Sequence, residues 1–222
     1  IITFKNSFHG RTLATLAAAS NPLHTDGFSP IPDGFLNIPL DKDLLEKSIT
    51  NKTAAILVEP VQGEGGARKA PSGYLKLLKD IALENGCLLI SDEVQIGMGR
   101  SGTLFAYQQE DIEPDIIALA KGLGGGFPVG AVMAKANVGD AMVPGTHGST
   151  FGGNPLAMRS ANVVLDLLLE DQFLDNLRDK ITYFDNKMDN LIKINSKEKS
   201  IFLKKKGAGM LRGFELIENI SA

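Results

Sequence analysis

Two apolar runs of this sequence end in groups able to do chemistry. Residues 88–91 lead into Asp92-Glu93-Val94-Gln95, and residues 116–120 lead into Lys121, then Gly122-Leu123-Gly124-Gly125-Gly126. In open α/β sheets ligands collect beyond the carboxyl ends of the strands, so an amine and a carboxylate at two such ends define a candidate site. A lysine can form an imine with an aldehyde, and a carboxylate can keep a ring nitrogen protonated and electron-withdrawing. A pyridoxal cofactor needs both groups. The expectation is that Lys121 and Asp92 face one cavity wide enough for a flat ring, with the glycines letting the backbone pass close by without Cβ clashes. Taken singly, each residue has a plainer reading, Lys121 as a solvated surface lysine and Asp92 as a helix cap, since most lysines and aspartates lie on the surface.

Other loops carry weaker signals. Gly145-Thr146-His147-Gly148-Ser149-Thr150-Phe151-Gly152-Gly153 combines hydroxyls, backbone amides and glycine freedom, which a phosphate group requires. Gly63-Glu64-Gly65-Gly66, after Val58-Glu59-Pro60, and Gly97-Met98-Gly99-Arg100-Ser101-Gly102 are ambiguous alone, because such turns are common in any α/β protein. His9 and His147 are too scattered to suggest a metal site and read as packed or exposed histidines. A P-loop nucleotide module is excluded, because no G-x-x-x-x-G-K-[ST] occurs and Lys121 precedes its glycines; no G-x-S-x-G supports a serine hydrolase.

The elements that must position these groups follow from apolar spacing. Residues 53–58 and 87–91 read as strands, and Tyr74, Leu77, Leu78, Ile81 and Ala82 recur between them at helical spacing, giving a βαβ unit. Ser72-Gly73 is a turn before that helix, and Gly86 falls where its C-terminus wants a positive φ. Further strands are expected at 115–120 and 130–134, in a sheet buried on both faces. Asn154-Pro155 opens a helix with the stripe Leu156, Ala161, Val164, Leu165 and Leu168. A second helix carries Phe173, Leu177, Ile181, Phe184, Met188, Leu191 and Ile192, and the polar stretch 195–200 breaks it. Residues 201–203 and 210–216 look like strands of another domain.

Composition bounds the rest. A chain of 222 residues, 43% hydrophobic and 22% charged, can bury a substantial core. A formal net charge of -3 gives no electrostatic reason to expect a polyanion, and the lysines of 193–206 alternate with apolar residues, so no nucleic acid is expected as a partner. The single cysteine, Cys87, cannot form an internal disulfide and sits in an apolar run, which suits a small buried side chain in a reducing, cytoplasmic setting. No apolar stretch approaches the length of a membrane span, and residues 1–4 lack both an initiator methionine and a signal-peptide charge, so the sequence is expected to start inside a domain and to meet no membrane.

Read in order, six motifs resemble the class III aminotransferases: S-F-H-G-R-T from Ser7, E-P-V-Q-G-E-G-G from Glu59, D-E-V-Q from Asp92, G-M-G-R-S-G from Gly97, A-K-G-L-G-G-G-F-P from Ala120 and H-G-S-T-F-G-G-N-P from His147. The likeness covers nearly the whole chain. Within the class, the wording at 97–107 and 144–155 is most similar to the branch acting on acetylated ornithine, with ornithine, 4-aminobutyrate or succinyl-diaminopimelate enzymes as alternatives, and an aminomutase or a non-catalytic remnant further off.

The resemblance implies α/β architecture of the fold-type I pyridoxal-phosphate (PLP) transferases: a large domain (1–170) with a mostly parallel sheet and helices on both faces, a linking helix (171–196) and the start of a small C-terminal α/β domain (197–222). It implies pyridoxal 5'-phosphate bound to Lys121, which also shuttles the proton, with Asp92 on the ring nitrogen, Gln95 near the ring hydroxyl and Phe8 stacked on the ring. It implies Arg11 on the substrate carboxylate, and Glu64 paired with an arginine from the C-terminal domain and swinging aside as substrates alternate. Ser149 and Thr150 would reach the phosphate of the neighbouring subunit's cofactor, in a homodimer with shared sites. The substrates implied are a small-molecule amino donor and 2-oxoglutarate. The family's upstream phosphate loop and its C-terminal arginine do not occur here, so the chain reads as roughly half to three-fifths of a family member.

Overall fold

The computed structural model describes residues 1–19, 21–195 and 201–217. Its centre is a six-stranded sheet. In chain order the elements are β1 (Ile2–Phe4), α1 (Leu13–Ala19), α2 (Pro22–Thr25), β2 (Leu36–Ile38), α3 (Lys42–Ser48), β3 (Ala55–Val58), β4 (Val61–Gln62), β5 (Arg68–Lys69), α4 (Tyr74–Glu84), β6 (Leu88–Asp92), β7 (Ile116–Leu119), β8 (Ala131–Ala134), α5 (Ala136–Gly139), α6 (Pro155–Leu168), α7 (Phe173–Asn195), β9 (Phe202–Ala208) and β10 (Leu211–Leu216). Short 3-10 turns at Ala106–Glu110 and Lys121–Gly124 complete the frame.

The sheet order is β2-β1-β3-β6-β7-β8, parallel except for β8, which runs antiparallel to β7. The βαβ unit expected from the sequence is β3-α4-β6. Gly73 precedes its helix at φ 77 and Gly86 follows it at φ 65, both in the left-handed region that glycine adopts without a Cβ penalty. Ile2, Phe4, Ile56, Val58, Leu78, Ala82 and Leu89 are fully buried between the sheet and α4, and each large aliphatic among them contributes about 1.5–3 kcal/mol.

The sheet is not uniformly buried. In β8 Val132 is 73% exposed, because this strand is an edge and no described element covers its outer face. The α6 stripe also differs from the expected one: Leu156 is 72% exposed in the first turn, and Ala157 is buried instead. The rest of that face holds, with Ala161, Val164, Leu165 and Leu168 packed against Met98, Ile117, Leu119 and Leu123. The Asn154 side chain accepts from the Ala157 amide, as an N-cap before proline should.

Helix α7 ends at Asn195, and of the polar segment expected to break it, 196–200 lies outside the described residues, as does 218–222 of the expected small domain. The strand expected at 201–203 runs instead from Phe202 to Ala208 and forms an antiparallel hairpin with β10. Its lysines do not interrupt it, because Lys204 and Lys206 pair with Glu215 across the hairpin and Lys205 pairs with Asp189 of α7. Ala208 and Leu211 pack onto Val61, Ile96 and Ala106, so the hairpin closes over the loops beyond the strand ends. No helix among the described residues is long and apolar enough to cross a membrane.

Candidate functional site

The register of the sheet brings the motif-bearing loops together. Asp92 pairs with Ala118 across β6 and β7, and the Glu93 amide donates to the Ala118 carbonyl, so Lys121 follows three residues beyond the position facing Asp92. On the other side β3 lies between β1 and β6, which places the segments after Phe4 and after Val58 beside the same sheet edge. These are the carboxyl ends of four parallel strands, where an α/β sheet accepts ligands.

Lys121 is exposed and has φ 41, a left-handed backbone that a residue with a Cβ rarely adopts. Such strain concentrates where surrounding structure enforces it for a purpose. Here the enforcing neighbours are visible. A Cβ on Gly122 would lie 3.2 Å from Met98 Cβ, one on Gly124 2.7 Å from Val129 Cγ1, and one on Gly125 2.9 Å from Val164 Cγ2. The Ser160 hydroxyl of α6 also donates to the Gly124 carbonyl at 2.6 Å. The glycines following Lys121 thus let the turn press against α6 and against the Met98 and Val129 side chains.

A cavity of about 260 Å³ is lined by Lys121, Val94, Gln95, Met98, Arg100 and Leu211, among others. Gln95 Nε2 is buried and has no hydrogen-bond partner among the described residues. Its side chain is also crowded by Gly63, where an added Cβ would lie 2.1 Å from Gln95 Oε1. Asp92 is not on that wall. It is 7% exposed, accepts the Val94 amide on Oδ1 at 3.1 Å, and holds His9 Nδ1 at 2.8 Å on Oδ2. The amine and the carboxylate are therefore brought to adjoining strand ends, and Gln95 shares the lysine's cavity.

The remaining predicted residues fall in three places. Phe8 and Arg11 follow β1; the Arg11 guanidinium lies 5.3 Å from the centre of the Phe8 ring, which packs edge-on to His24 at 5.8 Å. Glu64 is exposed on the loop joining the antiparallel pair β4 and β5. Ser149 and Thr150 are exposed on the loop before α6 and are not brought to the lysine cavity; Ser149 lines a separate open cleft over β7 and β8 with His147 and Met142.

Four residues here were not read as site residues from the sequence: His9, Glu59, Arg100 and Leu211. His9 and Glu59 are buried polar groups, which only packing reveals, although both stand inside recognisable motifs. Leu211 arrives from a hairpin remote in sequence, so no local signal marks it. Glu59 accepts the Phe8 amide at 2.8 Å, and burial pushes its carboxyl up to about 7 against the pull of that amide and of His9. Glu93 is also pushed up by burial, opposed by the Ala106 and Tyr107 amides and the Ser91 hydroxyl it accepts, which makes it a strut holding the 97–107 loop to the strand end. No group of histidine, cysteine, aspartate and glutamate among the described residues is arranged to hold a metal ion.

The family model described as Aminotransferase class-III matches residues 1–222. Acetylornithine aminotransferase 1 of Bradyrhizobium diazoefficiens is 46% identical over 98% of this chain and 53% of its own length. The ornithine aminotransferase of Toxoplasma gondii ME49 superposes with a TM-score of 0.91 at 35% identity, covering 97% of this chain and 51% of that one. The N-acetylornithine aminotransferase of Stenotrophomonas maltophilia K279a does so with a TM-score of 0.76 at 34% identity, covering 98% and 50%. The chain spans about half the length of the curated relatives it matches. With the family model matched from end to end, this chain belongs to the class III aminotransferases.

Proposed function

We propose that this chain forms most of the catalytic half of a PLP-dependent aminotransferase that moves the terminal amino group of N-acetylornithine to 2-oxoglutarate, giving N-acetylglutamate semialdehyde and glutamate. The observation that carries the reading is the cavity shared by Lys121 and Gln95, in which the Gln95 amide is a buried donor lacking an acceptor. A ring hydroxyl beside Lys121 would supply one, so Lys121 and Gln95 fit the cofactor, while Asp92 and Phe8 lie outside the lining of this cavity. Lys121 would hold it covalently, Asp92 would meet its ring nitrogen, and Phe8 would cover its ring face. The exposure of Ser149 and Thr150 away from that cavity supports their serving the phosphate of a cofactor in a second copy, in a homodimer. When bound, PLP withdraws electrons from the carbon that carries the amino group.

The chain's own residues supply positioning and proton transfer. Arg11 holds the substrate α-carboxylate, several bonds from the reacting terminal amine, and so fixes which carbon lies over Lys121. The Lys121 amine, released once the substrate's amino group has taken its place, then takes the proton from that carbon and would deliver it to the cofactor carbon that Lys121 had held, which leaves the substrate carbon to become the carbonyl. Glu64, exposed on its loop, would pair with an arginine of the C-terminal domain for one substrate and move aside for the other. His9 holds Asp92 in orientation from behind. On this reading residues 1–170 are the large domain, 171–196 the link and 197–222 the start of a small domain, and the enzyme works in the cytoplasm.

One observation favours a second reading: the ornithine aminotransferase superposes with the higher TM-score of the two structures. Steady-state kcat/KM of the full-length enzyme for acetylated against free ornithine decides between them. K121A is the test of the class itself. It should abolish both the imine absorbance of the bound cofactor and turnover, and a variant keeping both would defeat the proposal.

A further inference from the structure

Glu59 is the first residue after β3, the middle strand of the three whose ends carry Phe8, Glu64 and Asp92. It is 3% exposed, and each carboxylate oxygen serves a different loop. Oε2 accepts the Phe8 amide at 2.8 Å and Oε1 accepts the Gly63 amide at 3.5 Å. Phe8 leads within three residues to Arg11, and Gly63 is followed directly by Glu64. One buried group is thus bonded to both segments that carry the residues assigned above to the substrate. The charged groups facing it are His9, from the segment after β1, and Asp92, from the end of β6.

We propose that Glu59 is a positioning residue that ties the 8–11 segment and the 63–64 loop to a common point, and that taking up a proton on Oε1 releases the 63–64 loop while the Phe8 bond persists. The inference rests on the functional reading above only for its consequence, since the tie itself is a property of the fold. Its chemistry is simple. A carboxylate offers acceptors on both oxygens, whereas a carboxylic acid turns one of them into a donor that cannot serve an amide N–H. The longer of the two bonds is the one lost. Burial brings the exchange between the two forms near neutrality, where a side chain in water would stay charged. The mobility of Glu64 would then depend on pH through a neighbour five residues away rather than through Glu64 itself.

The experiment is a backbone amide NMR titration of the chain from about pH 5 to about pH 9, in the wild type and in E59Q. The Phe8 and Gly63 amide protons should shift with one shared midpoint, the same as that read at the Glu59 side-chain carboxyl carbon. In E59Q that transition should vanish from both, the Gly63 amide should exchange with solvent faster, and the Phe8 amide should keep its rate, because the remaining carbonyl oxygen still accepts it. Amides that do not share the midpoint of the Glu59 carboxyl, or that do not titrate together, overturn the proposal. The wild-type record alone decides this, so a poorly folded variant leaves no gap. Cofactor titration of the full-length enzyme separates the two readings: coupled amides without cofactor binding would remove the enzymatic assignment and leave the tie, and the converse would remove the tie alone.

Discussion

His9 Nδ1 stands 2.8 Å from Asp92 Oδ2, with 2% and 8% of the two side chains exposed. A carboxylate buried at a strand end must have partners, and Asp92 finds one in the Val94 amide and the other in this ring. Replacing His9 by alanine would leave one oxygen without a side-chain donor, at a cost of about 1–3 kcal/mol. Urea unfolding of H9A should show that loss, and H9N, which keeps a donor on a shorter side chain, should recover part of it. A variant H9A as stable as the wild type would show that the ring contributes nothing to holding the carboxylate.

The opposite end of the same strands makes a prediction about acid. Asp115 accepts the Leu89 amide at 2.9 Å and the Lys79 ammonium at 2.8 Å, and lies 3.2 Å from the Lys135 ammonium. Burial alone would raise its pKa, but the Leu89 amide and the two lysines outweigh it and the net shift is downward. A carboxyl whose pKa is lower folded than unfolded stabilises the fold above its ordinary value and loses that contribution as pH falls through the folded value. Stability of the wild type should therefore drop as pH is lowered below about 4, and D115N should be weaker at neutral pH but flatter across that acid limb. Denaturant midpoints at a series of pH values check it; parallel curves for the two proteins would contradict it.

Much of this was legible in the sequence, for a physical reason. The βαβ unit, β7, the N-cap at Asn154 and α7 announce themselves because each is a local pattern: an apolar run, a helical stripe or a residue with one backbone role. What stayed hidden depends on partners far away. Strands β1 and β2 are three residues each, too short for alternation to register, and are strands only because they pair with each other and with β3. The exposure of Val132 could not be read from an apolar run that looks the same buried or bare. In the site, Lys121 and Asp92 were visible at strand ends, whereas His9 behind Asp92 and Leu211 beside Lys121 are joined to them only by folding.

Gly63 offers a direct probe of the cavity. The three atoms nearest a methyl group there all belong to the flexible end of Gln95, so G63A should cost little stability and instead push the Gln95 amide out of place. If Gln95 orients the cofactor as proposed, displacing it should lower cofactor affinity about 10- to 100-fold, by analogy with groups that support metal ligands. Side-chain amide resonances of Gln95 in the chain, with a cofactor titration of the full-length enzyme, measure both effects. An unmoved Gln95 would show that the loop yields in its place.

Gly209 presents the opposite case, and the contrast tests whether the hairpin is held on the site or only rests there. It turns between β9 and β10 at φ 56, and a Cβ would lie 2.1 Å from the Arg100 carbonyl oxygen and 2.7 Å from Ser101 Cα. These are backbone atoms, and the Arg100 carbonyl also accepts the Met210 amide at 2.8 Å, so the contact cannot open without losing that bond. Added to the left-handed strain of a non-glycine residue, the clash makes G209A a destabilising change of about 2–4 kcal/mol. If the turn is what keeps Leu211 against the lysine cavity, hydrogen exchange should rise at Met210 and Leu211 and across the 97–102 loop in G209A, while β3 and β6 remain protected. Uniform loss of protection over the whole sheet would instead show that the hairpin and the strand core unfold as one unit.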